Sequence, residues 1–166
     1  MNEAWIALGL TLKVAGCATL INLVLGVAIA YVFSRKTFWG KEVLDALLTL
    51  PMVMPPTVLG YYLLVLLGQQ GVVGQLLKEY LGIQLIFTWQ GAVIAAAIVS
   101  FPLVFKGARA AFESLEFQYE QAAKVLQISQ MAIFFRVILP LAWRGVLAGL
   151  LLSFARAAGE FGATLM

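Results

Sequence analysis

The chain has 166 residues, of which 63% are hydrophobic and only 11% are charged, and its formal net charge is +3. Soluble domains are about half apolar and a quarter charged, so this composition excludes an ordinary soluble domain and indicates a membrane protein. The basic residues lie beside apolar runs rather than in a patch of their own, which argues against nucleic-acid binding. Cys17 is the only cysteine and histidine is absent, so an internal disulfide and a histidine or cysteine metal cage are excluded.

The first long apolar run covers residues 14–33 and contains no charged residue. About twenty apolar residues are enough to cross a bilayer as a helix, so this run predicts the first membrane span. Its flanking charges and length do not fit a cleaved signal peptide, and we expect it to remain attached. We expect Asn22 and Thr19 to make interhelical hydrogen bonds and Gly16 or Gly26 to allow close helix approach, with packing as the commoner role of all four.

The second predicted span, residues 46–67, is uncharged but contains Pro51, Pro55 and Pro56. Proline removes a backbone donor and clashes with a preceding carbonyl, so this helix is predicted to be bent or broken. If a new half-helix begins at Pro55 or Pro56, the free N–H groups of its first turn, near Thr57, lie close to the bilayer midplane. Pro55, Pro56 and Thr57 are therefore candidates for lining a translocation path, and a simple packing kink is the alternative.

The third predicted span covers residues 89–105 and follows a glycine- and glutamine-rich surface connection at 68–88. Trp89 suits the membrane interface, and Pro102 is expected to kink the helix. Charged residues from Lys106 onward end the apolar run.

A charged, helix-forming loop is predicted for residues 106–138. Glu120 and Lys124 are four residues apart with the acid first, the favourable order for a helical ion pair. Ser129 can cap a second helix with an apolar stripe, and Pro140 restricts the preceding residue before the chain re-enters the bilayer. The segment thus predicts helix, turn, helix.

The last predicted span, residues 139–158, is bracketed by Arg144 and Arg156. Arg156 and Glu160 are spaced i, i+4, and charges inside a membrane are candidates for function. A gate and a structural pair at a dimer interface are both open for these two residues. The chain ends without a polar tail, so we expect it to be C-terminally truncated, with at least one further membrane helix beyond it.

The distribution of basic residues predicts the orientation. Basic residues follow the first and third spans, whereas the connection after the second contains only Lys78. Because loops rich in Lys and Arg face the cytoplasm, the amino terminus is predicted to be extracytoplasmic and loop 106–138 to be cytosolic.

Two stretches resemble a known family. Glu120, Ala122 and Ala123 occupy the acidic and small positions of a segment that resembles the EAA loop of bacterial ABC-importer membrane subunits, closed by Ile138, Leu139 and Pro140. The family usually has glycine in the turn after the first loop helix, where this chain has Gln127. Residues 50–64, LPMVMPPTVLGYYLL, are similar to the second membrane segment of molybdate-type permeases. An ordinary amphipathic loop is the alternative to the EAA interpretation.

The resemblance implies an all-α, type I ABC-importer permease: one polytopic domain over residues 1–166 with about four spans, in a bacterial inner membrane. It implies a homodimer, a periplasmic oxyanion-binding protein delivering molybdate or tungstate, and a cytosolic ATPase subunit. The residues assigned to ATPase coupling are Glu120, Ala122, Ala123, Gln127, Ile138, Leu139 and Pro140.

We expect the chain to catalyse no reaction of its own. It has no G-x-x-x-x-G-K-[ST] phosphate loop, no G-x-S-x-G nucleophile and no histidine base. We therefore expect a non-enzymatic pore subunit that binds no cofactor, with ATP and Mg used by the partner ATPase. A sulfate or thiosulfate permease and a membrane scaffold or signalling partner that transports nothing are the alternatives, and mid-membrane prolines favour transport over a scaffold.

Overall fold

A computed structural model of the chain describes residues 2–68, 88–116 and 127–164, together with single positions at 71, 75, 79, 118, 121 and 125; the side chains at 2–4, 67 and 160–164 are outside this set. Every regular element in the described ranges is helical, which confirms the all-α prediction. The elements are α1 (Asn2–Arg35), α2 (Lys41–Val53), α3 (Pro56–Leu67), α4 (Trp89–Glu113), α5 (Gln130–Ile133), a π-helical turn (Phe134–Ile138) and α6 (Leu139–Thr164).

Within the described residues, three helical stretches are long and apolar enough to cross a membrane: Trp5–Arg35, Trp89–Glu113 and Gln130–Gly159. The bent pair of α2 and α3 raises this number to four if the pair forms one span. The polytopic helical architecture expected from the sequence is therefore present.

Helix α1 is longer than the apolar run that predicts it. It begins at Asn2 and passes through Lys13, because the residues before Lys13 are rich in the good helix formers Ala and Leu. It ends at Arg35, and α2 then starts after Gly40, whose φ of 85° is the left-handed conformation that glycine adopts without strain. The predicted span at 14–33 lies inside α1.

Helices α1, α4 and α6 pack against one another and form the core of the molecule. Its centre contains Phe105, Phe112 and Val104, all without exposed surface. The predicted close approach holds for Gly26, where an added Cβ would lie 3.0 Å from Val104 Cγ1, but not for Gly16, where it would meet nothing within 4 Å. Pro102 is also buried, and α4 continues through it and past Lys106 to Glu113.

A buried amide connects the three core helices. The side-chain nitrogen of Asn22 on α1 lies 3.0 Å from Ala97 O and 3.0 Å from Ser100 Oγ on α4, and 3.4 Å from Ser153 Oγ on α6. The prediction of interhelical hydrogen bonds is confirmed for Asn22. The Thr19 hydroxyl instead donates to Ala15 O of its own helix at 2.7 Å. In an apolar environment, hydrogen bonds of this kind from a buried amide nitrogen favour one helix arrangement over others.

Glycines let α4 and α6 approach backbone to backbone. A Cβ added at Gly145 would lie 2.5 Å from Ala111 Cβ, and one at Gly149 would lie 3.0 Å from Leu103 O. Gly145 and Gly149 are four residues apart, the small-xxx-small spacing that allows close contact between membrane helices. Since lipid is as apolar as the helix surfaces, this close packing, rather than hydrophobic burial, stabilises the pair.

The substitution Gly145→Ala is expected to lower the free energy of unfolding in detergent micelles by about 1–3 kcal/mol, because the new methyl group overlaps Ala111. The matched substitution Gly16→Ala adds the same group in open space and should leave the stability unchanged or slightly higher. Equal effects of the two substitutions on denaturant unfolding curves would contradict the close α4–α6 contact.

Candidate functional site

The break between α2 and α3 forms the first part of the candidate site. Met54 (φ −71°, ψ 140°) and Pro55 (φ −57°, ψ 139°) are extended, and α3 begins at Pro56. The two half-helices are bent by 113° relative to each other. The predicted break is thus observed at Pro55–Pro56, whereas Pro51 lies inside α2 without ending it.

The start of α3 leaves backbone donors uncapped. Its first intrahelical bond runs from Leu59 N to Pro55 O at 3.0 Å, and no side chain caps the helix. Pro56 has no N–H, so the N–H groups of Thr57 and Val58 are the ones that precede the helical ladder. Residues 55–58 are all exposed in the isolated chain. The turn therefore presents two N–H donors, the Thr57 hydroxyl and the positive end of a helix dipole.

The second part of the candidate site is the return from the loop to α6. Ser129 accepts a hydrogen bond from Ala132 N at 3.4 Å, which confirms the predicted cap of the second loop helix. The predicted apolar stripe is also observed, since Ile133 and Ile138 are buried and Phe134 and Val137 pack against the core.

The prediction that Pro140 restricts Leu139 to a non-helical conformation is wrong. Leu139 is helical (φ −63°, ψ −43°) and its N–H donates to Phe134 O, five residues back. The π-helical turn widens the helix just before Pro140, where the proline ring would otherwise clash with the carbonyl of Arg136. The predicted loop at 106–138 is consequently helical at both ends, up to Glu113 and again from Gln130.

An aromatic cluster joins this π-helical turn to the bundle. The Phe134 ring centroid lies 4.7 Å from that of Tyr31 on α1 and 6.1 Å from that of Phe112 on α4, and Tyr31 and Phe112 are 5.8 Å apart. These separations are typical of favourable aromatic pairs. No local sequence pattern predicts this cluster, because its members are far apart along the chain.

Gln127 adopts a left-handed backbone conformation, which glycine would adopt without strain. Its φ is 56°, and it is the only non-glycine residue with a positive φ in the described part of the chain. A side chain in the left-handed region costs roughly 1–2 kcal/mol, so the turn is retained in spite of the glutamine. Glutamine at position 127 therefore raises the energetic cost of this backbone conformation relative to glycine.

Glu120, Ala122 and Ala123 lie outside the described residues, and their assignment to ATPase coupling stays a prediction. Arg156 and Glu160 lie on the same unbroken helix, α6, and Arg156 is partly buried. The side chain of Glu160 is outside the described set, so the pairing of these two residues also stays a prediction.

A charged cluster that the sequence analysis missed connects α2 to α4. Lys106 Nζ lies 2.5 Å from Asp45 Oδ2, Arg109 Nη1 donates to Asp45 Oδ1, and Arg109 Nε lies 2.7 Å from Glu113 Oε1. The Asp45 side chain is only 13% exposed. We call these four residues the Asp45 cluster. Among the described residues no set of three or more His, Cys, Asp or Glu side chains is arranged to hold a metal ion.

The sequence of this chain is similar to those of known transport proteins. Residues 22–166 match the family model described as binding-protein-dependent transport system inner membrane component. The chain is 45% identical over 164 residues to the molybdenum transport system permease protein ModB of Escherichia coli (strain K12), covering 99% of this chain and 72% of that protein. It is 39% identical over 165 residues to the putative molybdenum transport system permease protein YvgM of Bacillus subtilis (strain 168), covering 99% and 73%.

A relative with a different cargo in its name is also similar. The probable sulfate transport system permease protein cysT of Chlorella vulgaris is 40% identical over 157 residues, covering 95% of this chain and 59% of that protein.

Gln127→Gly is expected to raise the free energy of unfolding by roughly 1 kcal/mol, because glycine adopts the left-handed conformation without steric cost. Gln127→Val should lower it by more than that, since a β-branched residue is poorly tolerated at positive φ. The control Gln130→Gly places the same substitution in a helix and should not stabilise the protein. Stabilisation by Gln130→Gly equal to that by Gln127→Gly, or tolerance of valine at 127, would contradict the strained turn.

Proposed function

Because this chain belongs to the family of binding-protein-dependent transport system inner membrane components, we propose that it is the pore subunit of an ATP-driven importer of molybdate or tungstate. The observation that carries the proposal is the start of α3 at Pro56, where two uncapped N–H groups and the Thr57 hydroxyl point to a site for an oxyanion. The similarity to molybdenum permeases over nearly the whole chain supports the choice of cargo.

The chemistry of the α3 N-terminus suits transport rather than storage. A helix N-terminus carries the equivalent of about half a positive charge, which attracts a divalent anion. A lysine or arginine at this place would add a full charge and slow the release of the anion. Donors on the backbone therefore allow the anion to be bound briefly and passed on.

Energy is proposed to come from a separate ATPase subunit, which would use ATP and Mg. We assign its docking to Glu120, Ala122 and Ala123, where small side chains permit close approach and the carboxylate offers an acceptor. The Ser129-capped helix and the 138–140 junction would then carry the movement of the docked loop into α6, because helix continues without interruption from Gln130 to Gly159.

Further partners follow from the same assignment. A periplasmic binding protein would deliver the oxyanion to the extracytoplasmic side, where the distribution of basic residues predicts the amino terminus. A second copy of the chain would complete the pore. Arg156 and Glu160 would lie near the extracytoplasmic end of α6, as a gate or as a pair at the contact between the two copies.

Sulfate import is the second candidate, and the similarity to the sulfate permease of Chlorella vulgaris favours it. Molybdate and sulfate are both divalent tetrahedral oxyanions, so the donors at the α3 N-terminus suit either. A non-transporting scaffold gains nothing from broken backbone at bilayer depth, which is the physical reason for placing transport first.

The uncapped turn is tested by labelling. Thr57→Cys in a Cys17→Ala background is expected to react with a membrane-impermeant thiol reagent in at least one nucleotide state of the assembled transporter. Leu20→Cys is the control, because Leu20 on α1 is 64% exposed in the isolated chain. It should remain unlabelled if this outer face of α1 contacts lipid. Thr57→Val removes one hydrogen bond and is expected to lower uptake about two- to tenfold. Absence of labelling at Thr57 in every state, together with normal uptake by Thr57→Val, would contradict the proposed path.

Cargo and coupling are tested in proteoliposomes that contain the permease, its ATPase and its binding protein. ATP-dependent uptake of radiolabelled molybdate is expected, with inhibition by excess tungstate but not by equal sulfate. Uptake of sulfate in preference to molybdate would select the second candidate. Ala123→Trp should abolish copurification of the ATPase and uptake together; normal assembly of this variant would refute the docking assignment, whichever oxyanion is transported.

A further inference from the structure

Helix α2 packs against the bundle with little burial of its side chains. None of its residues is buried, and several of its apolar side chains are largely exposed, including Val43 at 64% and Val53 at 83%. It packs mainly against α4. Side-chain burial therefore holds this half-helix only weakly, although it leads directly to the turn at Pro55.

The Asp45 cluster supplies a directional attachment. Both carboxylate oxygens of Asp45 accept a hydrogen bond, one from Lys106 and the other from Arg109. Because the two donors occupy different oxygens, they fix the rotation of the carboxylate as well as its position. Glu113 holds Arg109 from the next turn of α4, so less side-chain freedom is lost when Arg109 binds Asp45.

The part of α2 beyond Asp45 borders a cavity of about 430 Å³ between α1, α2 and α4. Leu48 and Pro51 line it from α2, and Leu25 and Ile98 lie on the opposite walls. Asp45 thus anchors α2, and the helical turns between Asp45 and Pro55 border open space on the side that faces the bundle. A rotation of α2 about Asp45 would displace the Pro55–Thr57 turn.

The Asp45 cluster also lies next to the loop that we assign to the ATPase. Glu113 is the last residue of α4, and the chain enters the loop immediately after it. A displacement of the loop would therefore act first on Glu113 and Arg109, and through Arg109 on Asp45. From Glu113 to Arg109 and from Arg109 to Asp45, each step is a charge-assisted hydrogen bond rather than an apolar contact.

We propose that Asp45 is a positioning residue for transport: its bridge to Lys106 and Arg109 transmits movement of the ATPase-docking loop to α2 and so sets the position of the Pro55–Thr57 turn. This inference rests on the proposed function for the route of the anion, but the bridge and the movement of α2 can be measured independently of cargo.

The test uses the assembled transporter in lipid and compares Asp45→Asn with Glu42→Gln. Glu42 is exposed and lies on the same helix, so its substitution removes an equal charge without touching the cluster. Spin labels at Leu44 and Ala110 report the separation of α2 and α4 in a Cys17→Ala background. Asp45→Asn is expected to broaden this distance distribution and to lower the number of oxyanions imported per ATP about tenfold, the loss typical of a charge-assisted hydrogen bond. Glu42→Gln should change neither quantity.

The outcomes separate the two proposals. If Asp45→Asn behaves like Glu42→Gln in both measurements, the positioning role is overturned. A broader distance with an unchanged import ratio would make the bridge purely structural and would also overturn it. If the wild type imports sulfate, the cargo assignment fails while the ratio measured with sulfate still decides the role of Asp45. If the Asp45→Asn variant does not assemble, Lys106→Gln replaces it, because the Lys106 side chain is 48% exposed. A smaller effect in the same direction is then expected. If neither measurement changes, the proposal is overturned.

Discussion

Two consecutive prolines impose the constraint on which the rest of this structure depends. Neither Pro55 nor Pro56 can donate a backbone hydrogen bond, so the helical ladder is interrupted at both positions. Helix α2 therefore ends at Val53, Met54 and Pro55 are extended, and α3 begins at Pro56 with a bend of 113°. In hydrocarbon such a turn is tolerated only where protein or water satisfies its polar groups. The break therefore requires polar partners if it lies within the membrane, and the transport path that we propose would supply them.

The remaining helices are built differently and serve as a frame. Helices α1, α4 and α6 share a buried core, the Asn22 hydrogen bonds and the close glycine contacts of α4 with α6. By contrast, α2 has no buried residue, and among the described side chains of α3 only Leu59 belongs to the buried apolar set. The described helices thus divide into a closely packed set and a more exposed pair. The Asp45 cluster joins the two groups, and the aromatic cluster joins the π-helical turn to the frame.

Local rules predicted the helical spans, the break at the prolines and the Ser129 cap, because each depends on residues close together in the chain. The Asp45 cluster could not be predicted in this way, since Asp45 is separated from Lys106 by 61 residues and from Arg109 by 64. Pro140 was expected to restrict Leu139, but Leu139 is helical. The π-helical turn that accommodates the proline could not be predicted, because the spacing of side chains does not reveal a widened backbone. At Gln127, tertiary structure overrides residue preference.

The proposed function depends on a second segment that is bent in the bilayer and is not a straight span. It is tested most directly by the distance between spin labels at Val43 and Leu66, both exposed, with labelled chain diluted in unlabelled chain so that only distances within one chain contribute. At 1.5 Å per residue, a bend of 113° places the two backbone positions about 18 Å apart, before allowance for the label linkers. A straight helix would place them about 35 Å apart. A distribution centred near the shorter value in lipid supports the account, and one centred near the longer value would contradict it.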